Sequence, residues 1–112
     1  MPLVDTEQLT AMAAGAPELL LPILDDFHAE AQSALSSLGE VVLRGAVGEA
    51  AACLHQLKGA SGTLGLQQFH ELCARSEAEA KQGELLRPGL PGELHDLLEA
   101  SVEAARTFLV SG

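Results

Sequence analysis

The chain has 112 residues, of which 47% are hydrophobic, and this supports one compact domain. Six basic against sixteen acidic side chains give a formal net charge of −10, which argues against nucleic acid or an anionic membrane as a partner. No apolar run is long enough to span a bilayer, and no basic residue precedes an apolar stretch near the N-terminus, so we expect a cytoplasmic protein.

Abundant Ala and Leu with few β-branched residues favour helices throughout the chain. A short helix is predicted over Asp5 to Ala13, capped by Asp5 or Thr6, with Leu9 and Met12 lying over one end of the fold. A long helix is predicted from Pro17 to about Leu43, because its apolar residues recur every three or four positions. Its predicted inward side chains are Leu20, Ile23, Leu24, Phe27, Ala31, Ala34, Leu35, Leu38 and Val42.

Three further amphipathic helices follow. The second long helix is predicted from about Ala46 to Leu64, between stops at Gly45 and Gly65, and the third closes near Gly83. A loop that contains Pro88, Gly89, Pro91 and Gly92 is predicted to precede the last helix, whose predicted inward residues are Leu94, Leu97, Leu98, Ser101, Ala105 and Phe108. Four such helices bury their apolar stripes together as an antiparallel up-down four-helix bundle, so we predict an all-α single domain over 1–112, with a core bundle over about 17–110 and the short N-terminal helix capping one end.

The second long helix has one face that differs from an ordinary solvated surface. His55, Lys58, Gly59 and Gly62 lie at positions i, i+3, i+4 and i+7 and therefore share that face. Each interior glycine costs about 1 kcal/mol relative to alanine, which suggests that both glycines leave the imidazole accessible to another protein. An exposed imidazole is largely neutral near pH 7 and can attack phosphorus, and the ammonium group one turn away can neutralise an anion on the ring. An ordinary surface histidine beside a close helix crossing is the alternative interpretation.

The segment HQLKGASGTLG, from His55 to Gly65, resembles the signature of the histidine-containing phosphotransfer (HPt) family of phosphorelays. The family pattern is His, any residue, Leu, Lys, Gly, any residue, Ser or Ala, any two residues, an aliphatic residue and Gly, and every fixed position is met. The stretch LCARSE, from Leu72 to Glu77, is also similar to the family's following helix.

This resemblance implies a bacterial-type two-component carrier without autokinase activity or an ATP site. His55 would accept a phosphoryl group from a receiver-domain aspartyl phosphate and pass it to a response-regulator aspartate. Lys58 would steady the phosphoryl oxygens, Gly59 would leave room for the docking receiver, and Glu77 would orient the ring, with a solvated charge as its alternative. The implied partners are receiver domains and a hybrid sensor histidine kinase. The chain itself would need no cofactor, because the receiver would supply magnesium, and we expect it to be a monomer.

Two points stay open from the residues alone. The rim of the docking surface is predicted to include Gln56, Gly62, Gln67 and Gln68, with plain solvent exposure as the alternative. The competing functions are a helix-bundle metal protein, built on Cys53, His70 and Cys73 with His55 as a further ligand, and a passive adaptor that docks on receivers or kinases without being phosphorylated.

Overall fold

The computed structural model describes residues 1–111 and contains five α-helices, with no strand in that range. They are α1 (Thr6–Ala13), α2 (Pro17–Leu43), α3 (Val47–Thr63), α4 (Gln67–Lys81) and α5 (Leu90–Ser111). The predicted all-α class is confirmed. The prediction that Pro91 and Gly92 belong to the preceding loop is wrong, because both lie in the first turn of α5. Proline is tolerated there, since the first N–H groups of a helix have no partner within the helix.

Helices α2 to α5 form a bundle in which each helix packs against two neighbours. Helix α2 contacts α3 and α5, and α4 contacts the same two helices. The molecule measures 44 × 21 × 18 Å, and its long dimension matches α2, whose 27 residues extend about 40 Å. Residues 44–46 and 64–66 connect packed neighbours directly, which requires those neighbours to run in opposite directions. The four-helix bundle is confirmed, and its connections are consistent with the up-down order.

The core fills the space between the four long helices. Its fully buried members include Leu24, Leu38, Leu54, Phe69, Leu94 and Leu98. Ile23, predicted to face inward, is exposed, because it lies at the edge of the stripe that α2 presents to its neighbours. In α5, Leu97 and Phe108 are only partly buried, whereas Val102 and Leu109 are core residues that the pattern missed. Across residues 1–111, no helix combines the length and hydropathy needed to traverse a lipid bilayer.

Helix α1 lies over one end of the bundle, as predicted, and this end is the one where α3 turns into α4. The Asp5 carboxylate accepts a hydrogen bond from the backbone N–H of Gln8 (3.1 Å), and the Gln8 amide donates to the carbonyls of Gly62 and Thr63 (2.8 Å each). Leu9, on the inner face of α1, is fully buried. Gly65, where the chain leaves α3, has φ +72°, and a Cβ there would lie 3.3 Å from the Asp5 carbonyl oxygen, so both the turn and α1 favour glycine.

Candidate phosphoacceptor site

The imidazole of His55 projects into solvent from the middle of α3. Its neighbours Leu54 and Leu57 are buried and hold the opposite side of the helix against the core. The His55 side chain is therefore turned outward, and 64% of its surface is exposed. A ring in this position can be reached by a second protein without unfolding any part of the bundle.

A buried carboxylate lies directly behind this ring. Glu77, on α4, has only 3% of its side chain exposed, and a buried carboxylate is stable only when charged or hydrogen-bonding groups surround it. Its Oε2 atom lies 2.9 Å from His55 Nδ1 and 2.9 Å from Lys81 Nζ, while its Oε1 atom lies 2.6 Å from Lys58 Nζ. The alternative of Glu77 as a solvated charge is contradicted by this burial.

The electrostatics of Glu77 determine which nitrogen of His55 is free. Hydrogen bonds from Lys58 and Lys81, together with one from His55, lower the pKa of Glu77 from its ordinary value of 4.5 to about 2, against the opposing effect of burial. The carboxylate is therefore ionised near neutral pH and can only accept hydrogen bonds. Nδ1 of His55 must then donate the hydrogen of this hydrogen bond, which leaves Nε2 as the second ring nitrogen of a largely exposed side chain.

The structure modifies the expected position of Lys58. The sequence predicts an ammonium group available to an anion on His55, but in the structure Lys58 is already paired with Glu77 and is only 30% exposed. Lys81, which sequence reasoning missed, completes the cluster from α4. The spacing of Glu77 and Lys81 at i and i+4 was a signal that could have found this pair.

The two glycines of the His55 face have different surroundings. A Cβ at Gly59 would meet nothing within 4 Å, so this position is open, as predicted. A Cβ at Gly62 would lie 2.9 Å from Nδ1 of His70, whose Nδ1–H donates to the Lys58 carbonyl over 2.8 Å. Gly62 therefore makes room for a side chain of α4 within the fold, and this packing accounts for the glycine without any role in access to His55.

The predicted rim residues are dispersed. Gln56 is exposed beside His55 on α3. Gln67 and Gln68 are half-buried at the start of α4, about 15 Å along the helix axis from Glu77, and the Gln68 side chain donates to the Met1 carbonyl. Gln56 adjoins His55 in sequence, but it lines a groove with Phe27 and Glu30 of α2, and the two α4 glutamines lie far from Glu77.

The residues of the metal alternative do not form a ligand set. Cys73 is fully buried in the core, the half-buried Cys53 donates from its thiol to the Ala34 carbonyl (3.6 Å), and His70 binds the backbone of α3. Within residues 1–111, no group of three or more His, Cys, Asp or Glu side chains is arranged to hold a metal ion.

Comparison with known proteins places this geometry in a family. The family model of the Hpt domain matches residues 22–107. The fold is that of the crystal structure of histidine-containing phosphotransfer protein B (HptB) from Pseudomonas aeruginosa PAO1, with a TM-score of 0.86 and 21% sequence identity over 99% of this chain and 97% of that one. No curated protein sequence matches the chain significantly. Since the family model covers most of its length, the chain belongs to the Hpt domain family of phosphorelay histidine phosphotransfer proteins.

Proposed function

We propose that His55 accepts a phosphoryl group on Nε2 from the aspartyl phosphate of a receiver domain and passes it to the aspartate of a response regulator. One observation carries this proposal: the ring exposes Nε2 while the ionised, buried Glu77 occupies Nδ1 at 2.9 Å. A nucleophile with its lone pair directed to solvent and its other nitrogen held by a carboxylate suits attack on a group brought by a partner.

Transfer to and from His55 conserves atoms, electrons and charge with the groups of the two proteins. The Nε2 lone pair of His55 attacks phosphorus in line, the P–O bond to the donor aspartate breaks, and its electron pair stays on the aspartate carboxylate. The phosphorylated ring keeps its proton on Nδ1 and becomes cationic, and the Glu77 carboxylate stabilises this charge. In onward transfer an acceptor carboxylate attacks phosphorus, the P–N bond breaks, and its electron pair returns to Nε2.

Charge neutralisation is shared between the two proteins. Lys58 is the cation nearest to the ring on its own helix, and the receiver's own bound magnesium ion would supply the remaining positive charge. The chain therefore acts as a phosphoryl carrier, with in-line geometry and electrostatics as its contribution to the reaction.

The other three histidines have surroundings less suited to this role. Nε2 of His28 lies 2.7 Å from Glu99, with 23% of the side chain exposed. His70 is half-buried against α3. His95 is about half exposed, but its nearest charged neighbours are the acidic Asp96 and Glu99, which would repel a phosphoryl group. Only His55 combines exposure, a buried carboxylate on one nitrogen and cations nearby.

The test is transfer of radiolabel from a phosphorylated receiver domain. We expect wild type to acquire acid-labile, alkali-stable label, His55→Gln to acquire none, and Lys58→Ala to be labelled more slowly. His95→Gln is the matched control, because it removes an exposed histidine outside the site and should be labelled like wild type. Label on His55→Gln would contradict the choice of histidine, and a wild-type chain that binds the receiver without taking label would favour the passive adaptor.

A further inference from the structure

The basic side chains of this acidic protein are distributed unevenly. All six form ion pairs, and each arginine has its own exposed or half-exposed carboxylate. These pairs are Arg44–Glu49 (2.8 Å), Arg75–Glu71 (3.8 Å), Arg87–Glu93 (2.9 Å) and Arg106–Asp25 (2.7 Å). Both lysines of the chain, in contrast, converge on Glu77. In the described part of the chain, this is the one place where two Lys or Arg side chains share a single carboxylate.

The two oxygen atoms of Glu77 divide these partners. Oε1 is bound by Lys58, whereas Oε2 is bound by both Lys81 and the His55 ring. If Lys58 moves away, Glu77 keeps an ion pair and its hydrogen bond to the imidazole. Without Lys81, the same movement would leave a buried carboxylate with no ammonium partner, which is strongly unfavourable.

We propose that Lys58 exchanges partners during the reaction, from Glu77 to the phosphoryl oxygens on His55, and that Lys81 is the positioning residue that permits this exchange by holding Glu77 in place. This inference rests on the proposed function. Lys58 is suited to move because it lies one turn from His55 on the same helix, and Lys81 is suited to stay because it lies one turn from Glu77 on α4.

The charges of the phosphorylated state support the exchange. A phosphoryl group carries about two negative charges near pH 7, and Glu77 adds one more. The phosphorylated imidazolium ring and the two ammonium groups come close to balancing them. Lys81 contributes to this balance without contacting the phosphoryl group, because it acts through the Glu77 carboxylate, which accepts the hydrogen bond from the ring Nδ1–H.

The experiment phosphorylates the full chain with phosphoramidate and follows the phosphohistidine signal by ³¹P NMR. We expect Lys81→Gln to lower the equilibrium constant for phosphorylation of His55 by about threefold to tenfold. Lys81→Arg should restore it, because the charge is kept. Arg75→Gln is the matched control, since it removes one positive charge from an exposed position on the same helix, and its effect should stay below about twofold. Because 63% of the Lys81 side chain is exposed, its substitution leaves the packed core unchanged, and thermal unfolding of each variant checks this point.

A double-variant comparison tests whether Lys81 acts through Glu77. In a Glu77→Gln background, Lys81→Gln should cause no further loss, because its partner charge is already gone. An equal loss in both backgrounds would overturn the positioning role. If Lys81→Gln lowers the phosphorylated fraction no more than Arg75→Gln does, the exchange is overturned. The proposed function stays intact in that case, provided that wild type is labelled and His55→Gln is not. A wild-type chain that takes no phosphoryl group from phosphoramidate or from a receiver would overturn both.

Discussion

Gly59 and Gly62 provide a pair of substitutions with the same chemistry and different expected effects on stability. Replacing an interior helical glycine with alanine stabilises a helix by about 1 kcal/mol, and Gly59 has open space for the added methyl group. At Gly62 the methyl group would lie 2.9 Å from Nδ1 of His70, so the ring must move. That movement breaks the 2.8 Å hydrogen bond to the Lys58 carbonyl, at a cost of about 0.5–1.5 kcal/mol.

We therefore expect Gly59→Ala to raise the free energy of unfolding by about 1 kcal/mol and the melting temperature by roughly 3–6 °C. For Gly62→Ala the helix gain and the hydrogen-bond cost nearly cancel, so the free energy of unfolding should change by no more than about 0.5 kcal/mol in either direction. Urea and thermal unfolding monitored by circular dichroism measure both. In a His70→Ala background the obstacle is gone, and Gly62→Ala should become stabilising. If Gly62→Ala stabilises the wild-type chain as much as Gly59→Ala does, the packing account of Gly62 is refuted.

Four other outcomes are expected. Because its ion pairs lower the pKa of Glu77 from 4.5 to about 2, this carboxylate stabilises the fold above pH 4.5 and loses that contribution as the pH falls toward 2. The difference in unfolding free energy between wild type and Glu77→Gln, measured by urea titration, should therefore shrink from pH 4.5 to pH 2. A constant difference would argue against these ion pairs as the cause. Burial raises the pKa of Cys73 to about 12 and also raises that of Cys53. Mass spectrometry should therefore find a thiol reagent on the half-buried Cys53 first and on Cys73 only after unfolding. Equal rates of modification of the two thiols in the folded protein would contradict this. Asp5→Ala should cost about 1 kcal/mol in thermal unfolding, because α1 loses its N-cap; an unchanged melting temperature would show that the cap is dispensable. Gly59→Gln should slow transfer from a receiver about tenfold or more, because the added side chain hinders docking, but should leave labelling by the small donor phosphoramidate unchanged. Equal slowing with both donors would show that the substitution impairs the reactivity of the His55 ring and not the docking of the receiver.

Much of the fold could be predicted from local patterns. The limits of α2 were predicted from Pro17 to about Leu43 and observed at those residues, because apolar spacing, a first-turn proline and a following glycine are all local signals. The start of α5 was missed, since Pro91 and Gly92 are typical of loops yet also fit a first helical turn. Ile23 was misassigned because periodicity alone does not say how wide a stripe the neighbouring helices cover.

The spacing of residues along the chain is enough to place His55 on a helix face with Lys58 and Gly59, because positions three and four apart are neighbours on any α-helix. No such local spacing places Lys58 and Lys81 on one buried carboxylate or packs Gly62 against His70. These contacts depend on how α3 and α4 are rotated and shifted against each other. That arrangement follows from packing of the whole core, which no local pattern in either helix specifies.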